Sequence, residues 1–169
     1  MSHTPFEVGE TALVANVPEA EPLVRRWRQH EIGIMAHVTI LGPFLHVSRI
    51  DEDVRRDLRH LFSRHAAIEA SFARIGHFPG VIYLAPEPAS AFVELTQAVV
   101  ERWPETPPYG GKFEKIVPHL SVAHGAPADE AEISAALPLA THIDTVSLIV
   151  CDDGECWSEV ATYSLSAQA

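Results

Sequence analysis

Apolar and polar residues alternate along several short stretches of the chain. This period of two is typical of β-strands that bury one face. Most of these stretches end at Gly, Pro, Asn or Asp, the residues that favour turns. The strands that the pattern predicts are residues 11–17, 33–41, 70–76, 81–84, 116–123, 143–150 and 157–165.

Apolar residues recur at helical spacing in the segments between these strands. The pattern predicts a short helix from about residue 22, a second from Asp51, a third over residues 90–103 and a fourth from Asp129. Asp51 and Asp129 suit helix starts because a carboxylate accepts hydrogen bonds from the first backbone N–H groups of a helix. Strands and helices in this arrangement predict an α+β fold.

The two halves of the chain repeat the same order of elements. Each has a strand that ends in proline, an amphipathic helix, a strand that carries a histidine, and a capped helix. The repeat predicts two lobes related by an approximate two-fold axis, with the two histidine strands facing each other. With 169 residues, of which 47% are hydrophobic, we expect a single two-lobed domain that spans residues 1–169.

The formal net charge of −11 argues against a long nucleic-acid footprint, because such binding needs many Lys and Arg contacts to phosphates. A small nucleotide or an RNA end fits the composition better. Lys112 and Lys115 lie close in sequence to the second histidine strand and are candidate phosphate contacts, with chance spacing as the alternative. Neither a membrane span nor a signal peptide is evident, so we expect a cytoplasmic monomer without a membrane partner.

Each histidine strand carries a hydroxyl residue two positions after its histidine. His37 is followed by Thr39, and His119 by Ser121. Side chains at positions i and i+2 of a strand point to the same face and are about 6 to 7 Å apart. Each strand therefore offers an imidazole and a hydroxyl that can reach one phosphate group.

Two such strands facing each other match the needs of displacement at phosphorus. One neutral histidine can take a proton from the attacking oxygen, while the other, protonated, gives one to the leaving oxygen. The hydroxyls of Thr39 and Ser121 can donate hydrogen bonds to the non-bridging oxygens. We expect neither a metal nor another cofactor, since the sequence has no obvious carboxylate cluster. A structural role is the alternative for each histidine taken alone.

The segments H-V-T-I and H-L-S-V resemble the twin H-x-[ST]-x motifs of the two-histidine phosphoesterase superfamily. Within it, they are most similar to the bacterial 2′-5′ RNA ligases, also called RNA 2′,3′-cyclic phosphodiesterases. The resemblance implies a bilobal fold in which two antiparallel sheets line a central cleft, with helices on the outside. It also implies that His37 and His119 are the acid and base, and that Thr39 and Ser121 bind the phosphate.

Aromatic residues near the motifs and in the proline-rich loop are candidates for stacking a nucleobase. Core packing is the alternative for each of them. These residues are Phe44, Tyr83, Tyr109 and Phe113.

The leading interpretation is a metal-independent phosphodiesterase that acts on a 2′,3′-cyclic phosphate or a 2′-5′ phosphodiester, with ligation as the reverse reaction. One alternative is a non-catalytic nucleotide- or phosphate-binding domain of the same fold. Another is a metal-dependent hydrolase that uses several of the ten histidines, although these lack the H-E-x-x-H spacing.

Overall fold

A computed structural model of the chain describes residues 6–28, 33–111, 115–125 and 128–166. Within them, eight strands form two four-stranded antiparallel sheets. The first sheet contains β1 (Thr11–Asn16), β2 (His37–Leu41), β7 (Thr145–Cys151) and β8 (Trp157–Ser164), in the order β2-β1-β7-β8. The second contains β3 (Ile68–Phe78), β4 (Val81–Glu87), β5 (Leu120–His124) and β6 (Leu139–Ile143), in the order β5-β4-β3-β6.

The four predicted helices are confirmed. They are α1 (Glu21–Arg25), α2 (Glu52–Ser63), α3 (Ala89–Arg102) and α4 (Glu130–Ala135). The Asp51 carboxylate accepts a hydrogen bond from the Val54 amide at 2.9 Å, and Asp129 accepts one from the Ala131 amide at 3.0 Å. Both aspartates cap their helices, as predicted.

The predicted strand 143–150 is confirmed as β7, which begins two residues later than predicted, and the short strand β6 directly before it was not predicted. β6 pairs with β3, whereas β7 pairs with β1, and Asp144 lies between them. The two buried residues of β6 are Ile143 and Thr141, and Thr141 donates a hydrogen bond to Glu19 at 2.8 Å. A buried polar residue at this position hides β6 from a reading based on hydrophobic alternation.

Both predicted histidine strands are too long at their N-terminal ends. β2 begins at His37 rather than at residue 33, and β5 begins at Leu120 rather than at residue 116. Pro118 has no backbone N–H to add to a sheet, which fits the late start of β5. The corrected boundaries place both histidines where their strands begin. His37 is the first residue of β2, and His119 is the residue directly before β5.

The strand orders confirm the predicted pair of equivalent lobes. In each sheet the histidine strand lies at one edge, next to the strand that precedes it in its own half of the chain. One continuous core contains Leu13 and Val38 from the first sheet and Phe72, Leu84 and Leu120 from the second.

The helices connect the two lobes across the middle of the molecule. α3, from the second half of the chain, packs against β2, and α1, from the first half, packs against β5. The buried Thr96 hydroxyl of α3 donates a hydrogen bond to the Ile40 carbonyl oxygen at 2.6 Å. In the described part of the chain, no helix has the length and apolar character needed to cross a membrane.

Candidate active site

The first motif shows the side-chain alternation predicted from the sequence. His37 and Thr39 are half-buried, whereas Ala36, Val38 and Ile40 are buried in the core. Because side chains along a strand point alternately to its two faces, the imidazole and the hydroxyl share one face.

The second motif has the same arrangement. His119 and Ser121 are half-buried, and Leu120 and Val122 are buried. Ser121 lies opposite Tyr83 of the neighbouring strand β4. Each lobe therefore presents one imidazole and one hydroxyl away from the core.

The fold brings the two motifs together. β2 and β5 are edge strands of different sheets, and Cα atoms of the two strands come within 8 Å of each other. His37 and Ser121 line one cavity, and Thr39 lines a neighbouring cavity with Pro118, the residue before His119. The first cavity is thus lined by residues of both motifs, and the second by residues of the first motif and of the segment that precedes the second.

The two imidazoles are held in the same way. His37 Nδ1 lies 2.8 Å from the Met35 carbonyl oxygen, and His119 Nδ1 lies 2.7 Å from the Val117 carbonyl oxygen. A carbonyl oxygen only accepts hydrogen bonds, so each Nδ1 carries a hydrogen and donates it. In the neutral ring, Nε2 is then the basic nitrogen, which suits a group that takes up or releases a proton there.

Aromatic rings lie close to His119. The ring centroids of Phe78, Tyr83 and Tyr109 are 5.0, 5.5 and 6.4 Å from the imidazole centroid. The Tyr109 hydroxyl donates to the Val117 carbonyl oxygen at 3.1 Å, the oxygen that also accepts from His119. Burial raises the pKa of the Tyr109 phenol, which keeps it protonated as a donor. These contacts fix the position of the imidazole.

Tyr83 lies flat across the neighbouring strand because the residue opposite it is Gly76. A Cβ atom on Gly76 would be 2.2 Å from the Tyr83 ring, well inside van der Waals contact. The Tyr83 ring also stacks on Phe78, with centroids 4.3 Å apart. A side chain at position 76 would therefore force the Tyr83 ring away from its present place beside His119.

The cavity beside His37 is bounded by residues that the sequence did not single out. Val24 and Trp27 form an apolar wall, and Arg28 and His124 add polar groups. His124 is exposed and lines this cavity.

Arg28 is fixed by a two-pronged ion pair with Glu21. The Nη2 and Nη1 atoms lie 2.7 and 3.0 Å from the two oxygens of the Glu21 carboxylate. The same carboxylate accepts a hydrogen bond from the Ala36 amide at 2.9 Å, directly before His37. The hydrogen bond from Arg28 is the main reason that the pKa of Glu21 is lowered, so the carboxylate stays ionised at neutral pH.

A comparison with protein families decides what kind of protein carries this site. Residues 17–155, which include both histidine motifs, match the model of the 2′-5′ RNA ligase superfamily. The chain belongs to the 2′-5′ RNA ligase superfamily. This confirms the resemblance carried by the two H-x-[ST]-x motifs, and it supports an enzyme of the phosphoesterase or ligase type. A comparison with curated proteins gives no significant match.

Solved structures share the fold of this superfamily member at low sequence identity. Escherichia coli LigT in complex with 3′-AMP superimposes with a TM-score of 0.63 at 12% identity, over 94% of this chain and 99% of LigT. A protein described as a phosphoesterase gives 0.64 at 12% identity, over 95% and 99% of the two chains. The protein TT0787 of Thermus thermophilus gives 0.61 at 20% identity, over 95% and 100%. These likenesses establish the fold alone.

Phe44 has the core position that was the alternative to a substrate contact. Phe44 is only 5% exposed and packs edge to face against Trp103, with ring centroids 5.2 Å apart. The ring belongs to the core and cannot stack on a nucleobase. Its position in the chain, three residues after the end of β2, does not indicate which way its side chain points.

The other predicted contacts have different surroundings. Tyr109 lines the cavity that contains Thr39, and Tyr83 lies beside His119. Lys115 is exposed. Lys112 and Phe113 lie outside the described residues, so contacts from them stay predictions.

Metal binding was expected to be absent. Within residues 6–28, 33–111, 115–125 and 128–166, no three His, Cys, Asp or Glu side chains are grouped so that they could hold a metal ion. Metal independence stays a prediction, which an activity assay in the presence of a chelator can test.

Exchange of Gly76 for alanine should disturb His119 through Tyr83. The added methyl group should displace the Tyr83 ring and destabilise the protein by less than about 1 kcal/mol, because it meets the far end of a half-buried side chain and because alanine is intrinsically favoured over glycine inside a strand. In an NMR spectrum of the histidine rings, the signals of His119 should shift. Denaturant titration gives the change in the free energy of unfolding.

The matched control is Gly76→Ala in a Tyr83→Ala background, where the methyl group meets no ring. There the same substitution should add little to the shift or to the loss of stability, because the two changes act on one contact. Equal effects of Gly76→Ala in both backgrounds would contradict this account.

Proposed function

We propose that the protein is a metal-independent phosphodiesterase that cleaves a 2′,3′-cyclic phosphate or a 2′-5′ phosphodiester, at an RNA end or in a small nucleotide. The observation that carries the proposal is the equivalent setting of the two imidazoles. Both donate from Nδ1 to a carbonyl oxygen two residues earlier, and both are followed two positions later by a hydroxyl residue that is half-buried like the histidine. The close approach of β2 and β5, whose Cα atoms come within 8 Å of each other, supports a common site for these groups.

The proposed hydrolysis uses one histidine as base and the other as acid. Nε2 of the neutral imidazole takes a proton from water as the water oxygen bonds to phosphorus. The second imidazole, protonated, gives its proton to the ribose oxygen as the bond from that oxygen to phosphorus breaks. A cyclic phosphate becomes a phosphomonoester, and the two histidines exchange protonation states. Ligation follows the same steps with a ribose hydroxyl in place of water: its oxygen bonds to phosphorus and gives up its proton to the base, the bond from the ring oxygen to phosphorus breaks, and the product is a phosphodiester.

Thr39 and Ser121 are proposed to stabilise the phosphate during this displacement. Each hydroxyl can donate one hydrogen bond to a non-bridging oxygen, which carries charge throughout the reaction. Their half-buried setting supports this role, because a hydrogen bond is electrostatically stronger where water is partly excluded.

A small substrate is supported by charge and by the solved relatives. The net charge of −11 disfavours the many phosphate contacts that a long RNA would need. E. coli LigT has been solved with 3′-AMP, with phosphate and with ATP. We therefore propose a nucleotide or a short RNA end as the ligand of this chain.

The proposal is tested by offering the purified protein a panel of nucleoside 2′,3′-cyclic phosphates, an ADP-ribose cyclic phosphate and 2′-5′-linked dinucleotides. At least one should be cleaved, at the same rate with and without EDTA, and the product identified by chromatography. A 3′-5′-linked dinucleotide is the matched control, because it has the same bases and charge and differs only in its linkage. It should remain intact.

The two alternative functions predict different results in this assay. Tight binding of a cyclic nucleotide without turnover between pH 5 and 8, where histidine titrates, would indicate a non-catalytic binding domain. Activity lost in EDTA and restored by a divalent metal would indicate a metal-dependent hydrolase.

A further inference from the structure

The cavity beside His37 contains a cation with no role in the acid-base pair. Arg28 lines it together with His37 and Ser121. Its side chain is 21% exposed, so it lies partly in the protein rather than extending into solvent. Arg28 is the one Arg or Lys among the described residues that line this cavity.

The position of Arg28 is tied to the histidine strand. Glu21 binds the guanidinium through both carboxylate oxygens and also accepts the hydrogen bond from the Ala36 amide. Because Ala36 is bonded covalently to His37, one carboxylate sets the guanidinium and the start of β2 relative to each other. The side chain is thus held in place before a ligand arrives, which lowers the entropy lost on binding.

The chemistry of this pair suits a phosphate oxygen. A guanidinium has five N–H donors, so the two that reach Glu21 leave others for a ligand. Its planar array of donors matches the oxygens of phosphate better than the single ammonium of lysine does. Glu21 neutralises the charge of Arg28, so recognition depends on directed hydrogen bonds more than on long-range attraction.

We propose that Arg28 binds a non-bridging oxygen of the substrate phosphate on the His37 side of the cleft, and that Glu21 is its positioning residue. The assignment rests on the proposed phosphodiesterase function for the identity of the substrate. Arg28 would give an anionic ligand directed N–H donors on a chain whose net charge is −11. The ligand class is the phosphate group itself, so inorganic phosphate serves as the probe.

The test compares Arg28→Gln with Arg25→Gln. Arg25 is the matched control because it belongs to the same segment and also pairs with Glu21, at 3.7 Å, but it is 71% exposed and does not line the cavity. Arg28→Gln should weaken binding of inorganic phosphate, measured by calorimetry, by about 10- to 100-fold, the usual effect of losing a hydrogen bond to a charged group. KM for the cleaved substrate should rise by a similar factor, with a smaller change in kcat. Arg25→Gln should stay within about twofold of the unchanged protein.

A second variant, Arg28→Lys, separates charge from geometry. Lysine keeps the positive charge but loses the planar array of donors, so it should bind phosphate more like glutamine than like arginine. Circular dichroism shows whether Arg28→Gln folds. If it does not fold, the comparison of Arg28→Lys with Arg25→Gln tests the inference instead.

The outcomes distinguish this inference from the proposed function. If both Arg28 variants bind phosphate as Arg25→Gln does, or if the unchanged protein binds no phosphate, the assignment of Arg28 is overturned. If phosphate binding depends on Arg28 while no substrate is cleaved, the inference stands and the phosphodiesterase proposal fails.

Discussion

Alanine in place of His37 or of His119 should lower turnover of a 2′,3′-cyclic nucleotide by about 10²- to 10⁴-fold, the range expected for loss of a general acid or base. Each substitution removes the nitrogen that takes up or releases the proton. The double variant should be little worse than either single one, because the two histidines act on the same step and their effects do not add. Steady-state kinetics on the three variants gives the factors.

Two controls separate chemistry from folding. His37→Asn keeps a side-chain amide that can donate toward the Met35 carbonyl but has no nitrogen that titrates near neutral pH, so it should fold and be inactive. His60→Ala changes an exposed histidine of α2 and should leave turnover unchanged. Full activity of either His37→Ala or His119→Ala would refute the catalytic assignment.

Removal of the hydroxyls is expected to have the second largest effect. Thr39→Val and Ser121→Ala should each lower kcat by about 10²- to 10³-fold, as loss of one donor to a charged oxygen does in other enzymes. Valine has nearly the shape of threonine, so Thr39→Val removes a donor with little change in packing. The loss should be greater in kcat than in KM, because the donors are proposed to act most strongly in the transition state.

Restoring a hydroxyl should restore the activity. Thr39→Ser and Ser121→Thr keep the donor and should remain within about tenfold of the unchanged protein. Ser134→Ala makes the same chemical change as Ser121→Ala at an exposed position of α4 and should have no effect. If Thr39→Ser is as inactive as Thr39→Val, the loss of activity does not come from the missing hydroxyl, and the proposed hydrogen bond from Thr39 to the phosphate is contradicted.

The sequence predicted the histidine strands because their alternation is strong and local. In both motifs the buried positions are aliphatic or small apolar residues, so one face of the strand is evident without tertiary information. The helix starts at Asp51 and Asp129 were predictable for a similar reason, since a cap depends on contacts within three residues.

What the sequence missed depends on contacts between distant segments. Arg28 follows α1, which ends at Arg25, so no helical pattern places it near the histidines. Its setting depends on the ion pair with Glu21 and on the approach of β5, neither of which leaves a periodic signal. The strand β6 was missed because its central buried position is occupied by a threonine that donates a hydrogen bond to Glu19.

The route of the chain has a consequence for synthesis. The lobe that carries His37 is begun by β1 and β2 but is completed by β7 and β8, the last strands of the described chain. While β7 and β8 are still in the ribosome, the nascent chain exposes the edge of β1 that later pairs with β7. The unpaired backbone groups of such an edge can pair with strands of other chains. The second lobe, whose strands are consecutive in the chain, is complete earlier and can be the template on which the first closes.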